Sequence, residues 1–273
     1  MPLIPGMHDK TVDLEDHHIG FSEGPDNGPA LVLIHGLSGR RDSFLPVIPA
    51  LLEKFHLFAI DQRGHGLSGM TPGHYGIEDY SSDLIGFLRT LFTEPVFVWG
   101  QSLGAAVTIQ AAADVPELFR AVVLEDPPLG RSKSRSALQD IFPRWHELAS
   151  SSLSIDEIEA RLTTMNMGFA GASARYKAET LHQLDPDVLQ FAIEDRIFSG
   201  YDNAAALKRV TSPALLMQAD PEFGGIISDE AIAAMQPLPA NIQHRKFVGS
   251  GHKVHADQPE KALDAVLGFL SKH

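Results

Sequence analysis

Short, continuous apolar runs recur along the chain, separated by segments of helical period. The runs cover residues 30–36, 56–61, 96–102, 121–127, 214–220 and 242–248. Most of them do not alternate apolar with polar positions, which is the pattern of strands buried on both faces of a parallel sheet. The segments between them gather apolar residues on one helical face. Ile48, Leu51, Leu52 and Phe55 form one such face; Ile77, Tyr80, Leu84, Leu88 and Leu91 form another. Near the C-terminus Leu263, Val266, Leu267 and Leu270 follow the i, i+3, i+4, i+7 spacing. Alternating strand and helix predict an α/β fold, a mostly parallel central sheet flanked by helices with right-handed crossovers. Residues 11–16 and 18–24 add an antiparallel pair at its edge.

The alternation stops between about 129 and 205, where helical patterns follow one another without a strand signal. Ser154 and Glu157 form a capping-box pattern ahead of Ile158, Leu162 and Met165. The expected organisation is therefore a core made of residues 1–128 and 206–273, with a helical cap over 129–205. An insertion at the carboxyl end of a parallel sheet overhangs the crevice where such folds bind ligands.

Within the third run, VFVWGQSLGAAV at 96–107, a lone hydroxyl sits between two glycines at a strand-to-helix junction. A Gly-x-Ser-x-Gly turn there holds its serine in a strained conformation, exposed at the sheet top, and leaves room for little more than hydrogen at the flanking positions. Leu103 opens the following helix, so its amide points at any anion developing beside Ser102. His252, in a Gly-rich loop between the last strand run and the C-terminal helix, is the favoured general base; His255 is the competitor. Gly36 lets the backbone approach the site, making the Leu37 amide a natural second oxyanion donor. Asp61, Arg63 and His65 read as the supports of a structural loop, and His35 as a residue that ties loops together.

Composition narrows the partners. The formal charge is −13 across 273 residues, with no dense Lys/Arg cluster, which argues against nucleic acid and anionic membrane surfaces as partners. There is no cysteine, so disulfide and thiolate chemistry are excluded. The polar, acidic start carries no signal-peptide pattern, and no apolar run approaches the ~18 residues of a membrane span. The expectation is a soluble, cytoplasmic protein acting on a small molecule, its oligomeric state undetermined.

Four stretches together resemble the α/β-hydrolase superfamily: HG at 35–36, DQRGHGLS at 61–68, GQSLG at 100–104 and GSGHKVHADQPE at 249–260. Their order and spacing agree over nearly the whole chain. The resemblance implies Ser102 as nucleophile, His252 as base, and the amides of Leu37 and Leu103 as the oxyanion hole. The acid departs from the usual pattern. Most members place it after the strand corresponding to 214–220, where this chain has Ala219 at the glycine position, Glu222 at the acid position, and Asp220 directly after the strand. A minority of the superfamily takes its acid from the end of the preceding strand, here Asp126 followed by two prolines. Asp126 is the favoured acid and Asp220 the alternative, with Glu222 and Glu125 still open.

The chemistry this predicts is acyl transfer to water: hydrolysis of a carboxylic ester or lactone of a moderately hydrophobic small molecule through an acyl-enzyme, without metal or organic cofactor. Specificity falls to the insert, whose Phe142, Trp145, Met165, Met167, Phe169, Tyr176 and Phe191 supply apolar surface. Trp145 and Tyr176 are expected to contact substrate. A carbon–carbon bond hydrolase, a cofactor-free dioxygenase and a catalytically silent ligand receptor of the same fold are the alternatives.

Overall fold

The computed structural model of the protein describes residues 3–130, 133–164 and 169–273. Eight strands form one sheet: β1 (His8–Asp13), β2 (His18–Glu23), β3 (Ala30–Ile34), β4 (His56–Ile60), β5 (Val96–Gln101), β6 (Phe119–Glu125), β7 (Ala214–Ala219) and β8 (Ile242–Phe247), in the spatial order β1-β2-β4-β3-β5-β6-β7-β8. β1 and β2 pair antiparallel, β2 joins β4 antiparallel, and every other pairing is parallel.

The unbroken apolar runs follow from burial on two faces. Along β3 and β5, Val32, Ile34 and Val98 enter one core while Leu31, Leu33, Phe97 and Trp99 enter the other. The first core is closed by α2 (Ile77–Leu91) and α3 (Leu103–Asp114), the second by α1 (Ile48–Leu52) and the C-terminal Pro259–Leu270 helix. Side chains on a strand alternate between faces, so a strand covered on both sides has no position at which water selects a polar residue.

The site-bearing strands end slightly earlier than their apolar runs. β5 stops at Gln101 because Ser102 turns to φ 54°, and β6 stops at Glu125 because Asp126 turns to φ 44°. Between β6 and β7 lie α4 (Lys133–Ala149), α5 (Ile155–Thr164), α6 (Ala172–His182) and α7 (Pro186–Ile193). The Ser154 capping box forms: the Glu157 carboxylate accepts from the Ser154 amide at 2.8 Å, and Ser154 Oγ accepts from the Glu157 amide at 3.4 Å. A short helix, α8 (Asn203–Leu207), packs on α3, so the chain has rejoined the core by about that point. The order reverses beside β3, which lies between β4 and β5, so a crevice opens at the carboxyl ends of β3 and β5, the general ligand position of such sheets.

Candidate active site

Two close backbone approaches shape the turn that carries Ser102. A Cβ on Gly100 would lie 2.3 Å from the Gly104 carbonyl oxygen, and one on Gly104 would lie 2.3 Å from that of Ile34. Only glycine lets β5 double back into α3 this tightly while α3 rests against β3. Its early residues, including Ala105 and Ala106, are fully buried, their small side chains permitting the same approach. Ser102 precedes α3 at φ 54°, ψ −114°, a region that costs a non-glycine residue on the order of 1–3 kcal/mol. Its amide donates to the Glu125 carbonyl at 2.8 Å, which ties the turn to β6.

His252 sits in the loop after β8, and its Nδ1 donates to Asp126 Oδ2 at 2.7 Å. Asp126 is fully buried, and its carboxylate also accepts the amides of Ile226 at 2.8 Å and of Ala219 and Ile227 at 3.3 Å each. Four donors on two oxygens hold it in one orientation. Asp220 is engaged elsewhere: its carboxylate accepts the amides of Gly249 at 2.8 Å and Glu222 at 3.2 Å, bracing the loop that leads to His252 rather than touching the imidazole. Glu125 is paired with His255, whose Nδ1 donates to it at 2.8 Å, and it also accepts from the Trp99 indole at 2.8 Å. That second histidine–acid pair is wholly buried beneath the sheet end.

Ser102 and His252 line one cavity of about 220 Å³, together with Leu37 and Leu103. Neither leucine amide has a hydrogen-bond partner among the described residues. His252 Nε2 accepts from the Gln101 side-chain amide at 3.2 Å, and the same amide donates to the His252 carbonyl at 3.3 Å. Among the described residues no hydrogen bond joins Ser102 Oγ to the imidazole in this state; Gln101 occupies Nε2 instead.

Phe142, Trp145 and Phe169 of the insert face the same cavity. Tyr176, expected there, does not line it. Its hydroxyl bonds Ser43 Oγ at 2.8 Å, which draws the ring behind the wall. Phe191 packs edge-on against Tyr75, their centroids 5.8 Å apart, and also stays out of the cavity. Met165 and Met167 fall outside the described residues. Three lining residues carried too little sequence signal to be singled out. Gln101 lies within the pentapeptide itself, and Lys253 directly follows the histidine. Lys177 comes from α6, with no local signal at all.

The loop residues act as supports. Asp61 is buried and accepts the Arg41 and Leu67 amides at 2.7 and 2.9 Å. Arg63 holds Asp83 through two bonds of 2.6 Å. His35 and His65 are buried 4.9 Å apart, and burial pushes them down to about 4 and about 3 respectively, so both are neutral imidazoles at ordinary pH.

A serine on a strained strand-to-helix turn, beside a histidine–aspartate pair at the sheet's switch point, defines a hydrolase of α/β architecture. The model of the alpha/beta hydrolase family matches residues 31–265, and the chain belongs to that family. Among curated relatives, it is 29% identical over 251 residues to the 2-(acetamidomethylene)succinate hydrolase of Mesorhizobium japonicum, covering 89% of this chain and 88% of the relative. It is also 29% identical over 273 residues to the N-formylmaleamate deformylase of Pseudomonas putida, covering 98% and 97%. The crystal structure of an E-2-(acetamidomethylene)succinate hydrolase superposes with a TM-score of 0.81 at 26% identity, covering 97% of this chain and 99% of that one.

Proposed function

We propose that the protein hydrolyses an acyl linkage of a small molecule through a Ser102 acyl-enzyme. The observation that carries this reading is the convergence of the strained Ser102 and the Asp126-bound His252 on one cavity. Asp126 fixes the tautomer with the proton on Nδ1, which leaves Nε2 as the acceptor. As substrate enters, the Gln101 amide gives up Nε2, and His252 takes the Ser102 proton while Oγ attacks the carbonyl carbon. The carbonyl π pair moves onto oxygen, where the Leu37 and Leu103 amides receive the charge. Collapse expels the leaving group, which takes the proton from His252. Water then attacks the acyl-enzyme with His252 again as base, releasing the acid and restoring Ser102.

The linkage is an ester, a lactone or an N-acyl amide. The relatives favour the amide, because their names describe an acetamido compound and an N-formyl maleamate. The test is labelling with a neutral fluorophosphonate and mass mapping of the adduct, followed by a panel of esters, lactones and N-formyl or N-acetyl amides. An adduct on Ser102 with turnover of any panel class supports the reading. Absence of an adduct on folded protein, or turnover undiminished in Ser102→Ala, refutes it.

A further inference from the structure

An apolar catalytic cavity rarely contains uncompensated cations, because a charge moved out of water without a partner is costly. Two lysines nevertheless line this cavity, Lys177 from α6 and Lys253 beside His252. Lys177 is 6% exposed. Its Nζ donates to the Ser38 carbonyl at 3.1 Å and to Ser38 Oγ at 2.9 Å, both neutral acceptors, and lies 4.0 Å from the centroid of the Trp145 ring. Lys253 Nζ stands 5.6 Å from the centroid of the Tyr176 ring. Among the described residues no carboxylate lies within 4 Å of either ammonium group.

The acids nearby are either exposed or committed: Asp257, which with Glu125 and Asp42 attracts the Lys253 ammonium, is solvent-exposed. Asp42 takes the Arg40 guanidinium through bonds of 3.0 and 2.7 Å, Glu125 takes His255, and Glu179 takes Arg175 and Arg40. Asp195 stands at the cavity wall but is solvent-exposed. Burial pushes the Lys177 ammonium well below the usual lysine range, and its repulsion from Lys253 adds to this. Lys253 is lowered by burial as well.

A third donor is independent of the lysines. The Trp145 side chain is 7% exposed and lines the cavity, yet its indole Nε1 is buried with no hydrogen-bond partner among the described residues. A buried N–H left unpaired costs about 1–3 kcal/mol, a cost that a ligand acceptor reaching it would recover. Phe142, Phe169, Ile197 and Phe198 supply the rest of that wall, so the ligand's remaining body is apolar.

We propose that Lys177, Lys253 and the Trp145 indole form an anion subsite, so that the substrate carries a carboxylate on a short scaffold beside its scissile acyl group. The proposal builds on the hydrolase reading above and names its substrate class. It revises the expectation of a merely hydrophobic ester: the aromatic wall packs the scaffold, and the two lysines select the charge. A bound carboxylate supplies a counter-charge at Lys177, whose ammonium form burial otherwise disfavours, and its bonds there are charge-assisted.

The experiment is calorimetric titration of the whole protein with maleate and with its neutral diamide, in wild type, Lys177→Met, Lys253→Met and Lys177→Arg. Methionine preserves the length and apolar stem of Lys177, and Lys177→Arg retains the charge should the methionine variant fail to fold. Wild type is expected to bind maleate at least tenfold more tightly than the diamide. Each methionine variant should weaken maleate at least tenfold with little effect on the diamide, and Lys177→Arg should retain the preference for the anion. On a carboxylate-bearing N-acyl substrate, the methionine variants should raise KM more than they lower kcat. Equal binding of maleate and diamide by wild type overturns the proposal, as does a maleate affinity within twofold of wild type in both methionine variants. A defect confined to kcat with maleate binding intact also overturns it. Fluorophosphonate labelling of wild-type Ser102 separates the two readings: a labelled enzyme indifferent to maleate refutes the subsite alone, and an unlabelled protein that binds maleate refutes the hydrolase alone.

Discussion

Asparagine at position 126 removes one charge and converts one acceptor oxygen into a donor, while the side-chain shape and the φ of 44° remain accessible to the new residue. Both carboxylate oxygens face N–H donors. One receives His252 Nδ1 at 2.7 Å and the Ile226 amide at 2.8 Å; the other receives the Ala219 and Ile227 amides at 3.3 Å. An asparagine with its oxygen toward His252 turns its NH2 group against two backbone amides. The flipped amide donates to Nδ1, forces the proton onto Nε2 and removes the base that Ser102 needs. The first orientation strands two buried amides and the second only that of Ile226, at about 1–3 kcal/mol each, so the fold should lose roughly 1–6 kcal/mol. Turnover should fall on the order of 10³- to 10⁴-fold, or about 4–5.5 kcal/mol of transition-state stabilisation, the scale seen for the equivalent change in a serine-protease triad. Asp220→Asn serves as the comparison, because Asp220 binds only loop amides; it should keep turnover within about tenfold of wild type. The assay is kcat/KM on the best panel substrate, with urea unfolding of both variants. If Asp126→Asn retains a tenth of wild-type turnover while Asp220→Asn falls further, the assignment of the acid is wrong.

Ser102→Gly should abolish turnover yet raise stability by about 1 kcal/mol, because glycine relieves the strain at φ 54°; a lower unfolding midpoint would contradict the strained turn. Gly104→Ala drives a Cβ to 2.3 Å from the Ile34 carbonyl oxygen and should cost roughly 3 kcal/mol, read as a lower denaturant midpoint; an unchanged midpoint would show that α3 does not approach β3 so closely. Between pH 6.5 and about 4.5 stability should fall on acidification. His35 and His65 stay neutral when folded down to about 4 and about 3, whereas unfolded histidine takes up its proton near 6.5. The unfolded state then binds more protons, so stability rises with pH across that window at up to about 1.4 kcal/mol per unit for each group. Denaturant midpoints at pH 6.5, 5.5 and 4.5 measure it, and a flat profile would mean that these histidines ionise in the folded state.

Features whose causes lie near one another along the chain are legible in the order of residues alone. The strand runs reveal their burial on both faces because apolarity is required at every position of a covered strand. GQSLG discloses its turn because Gly100 and Gly104 answer contacts made by the turn itself and by the neighbouring strand end. His252 is readable from the glycines around it. The contact of Gln101 with the imidazole is not, because its relation to Nε2 depends on a loop arriving from β8. Tyr176 misleads for a related reason. An aromatic residue on an insert helix has no local mark telling whether it faces the cavity or the wall behind it, and its hydroxyl finds Ser43 instead.

Linear order thus determined the layered sheet, the strained serine and the glycine-flanked imidazole, since each is encoded within a few adjacent residues. It left four carboxylates competing for the histidine. Tertiary structure chose among them: β6, β7 and β8 lie side by side, and the positive-φ turn after β6 aims Asp126 at an imidazole 126 residues away. It also brought Lys177 of α6 into the cavity lined by Lys253 and Ser102. Electrostatic fields and cavities arise from distances through space, and residue spacing along a chain does not contain them until the sheet and its insert have been assembled.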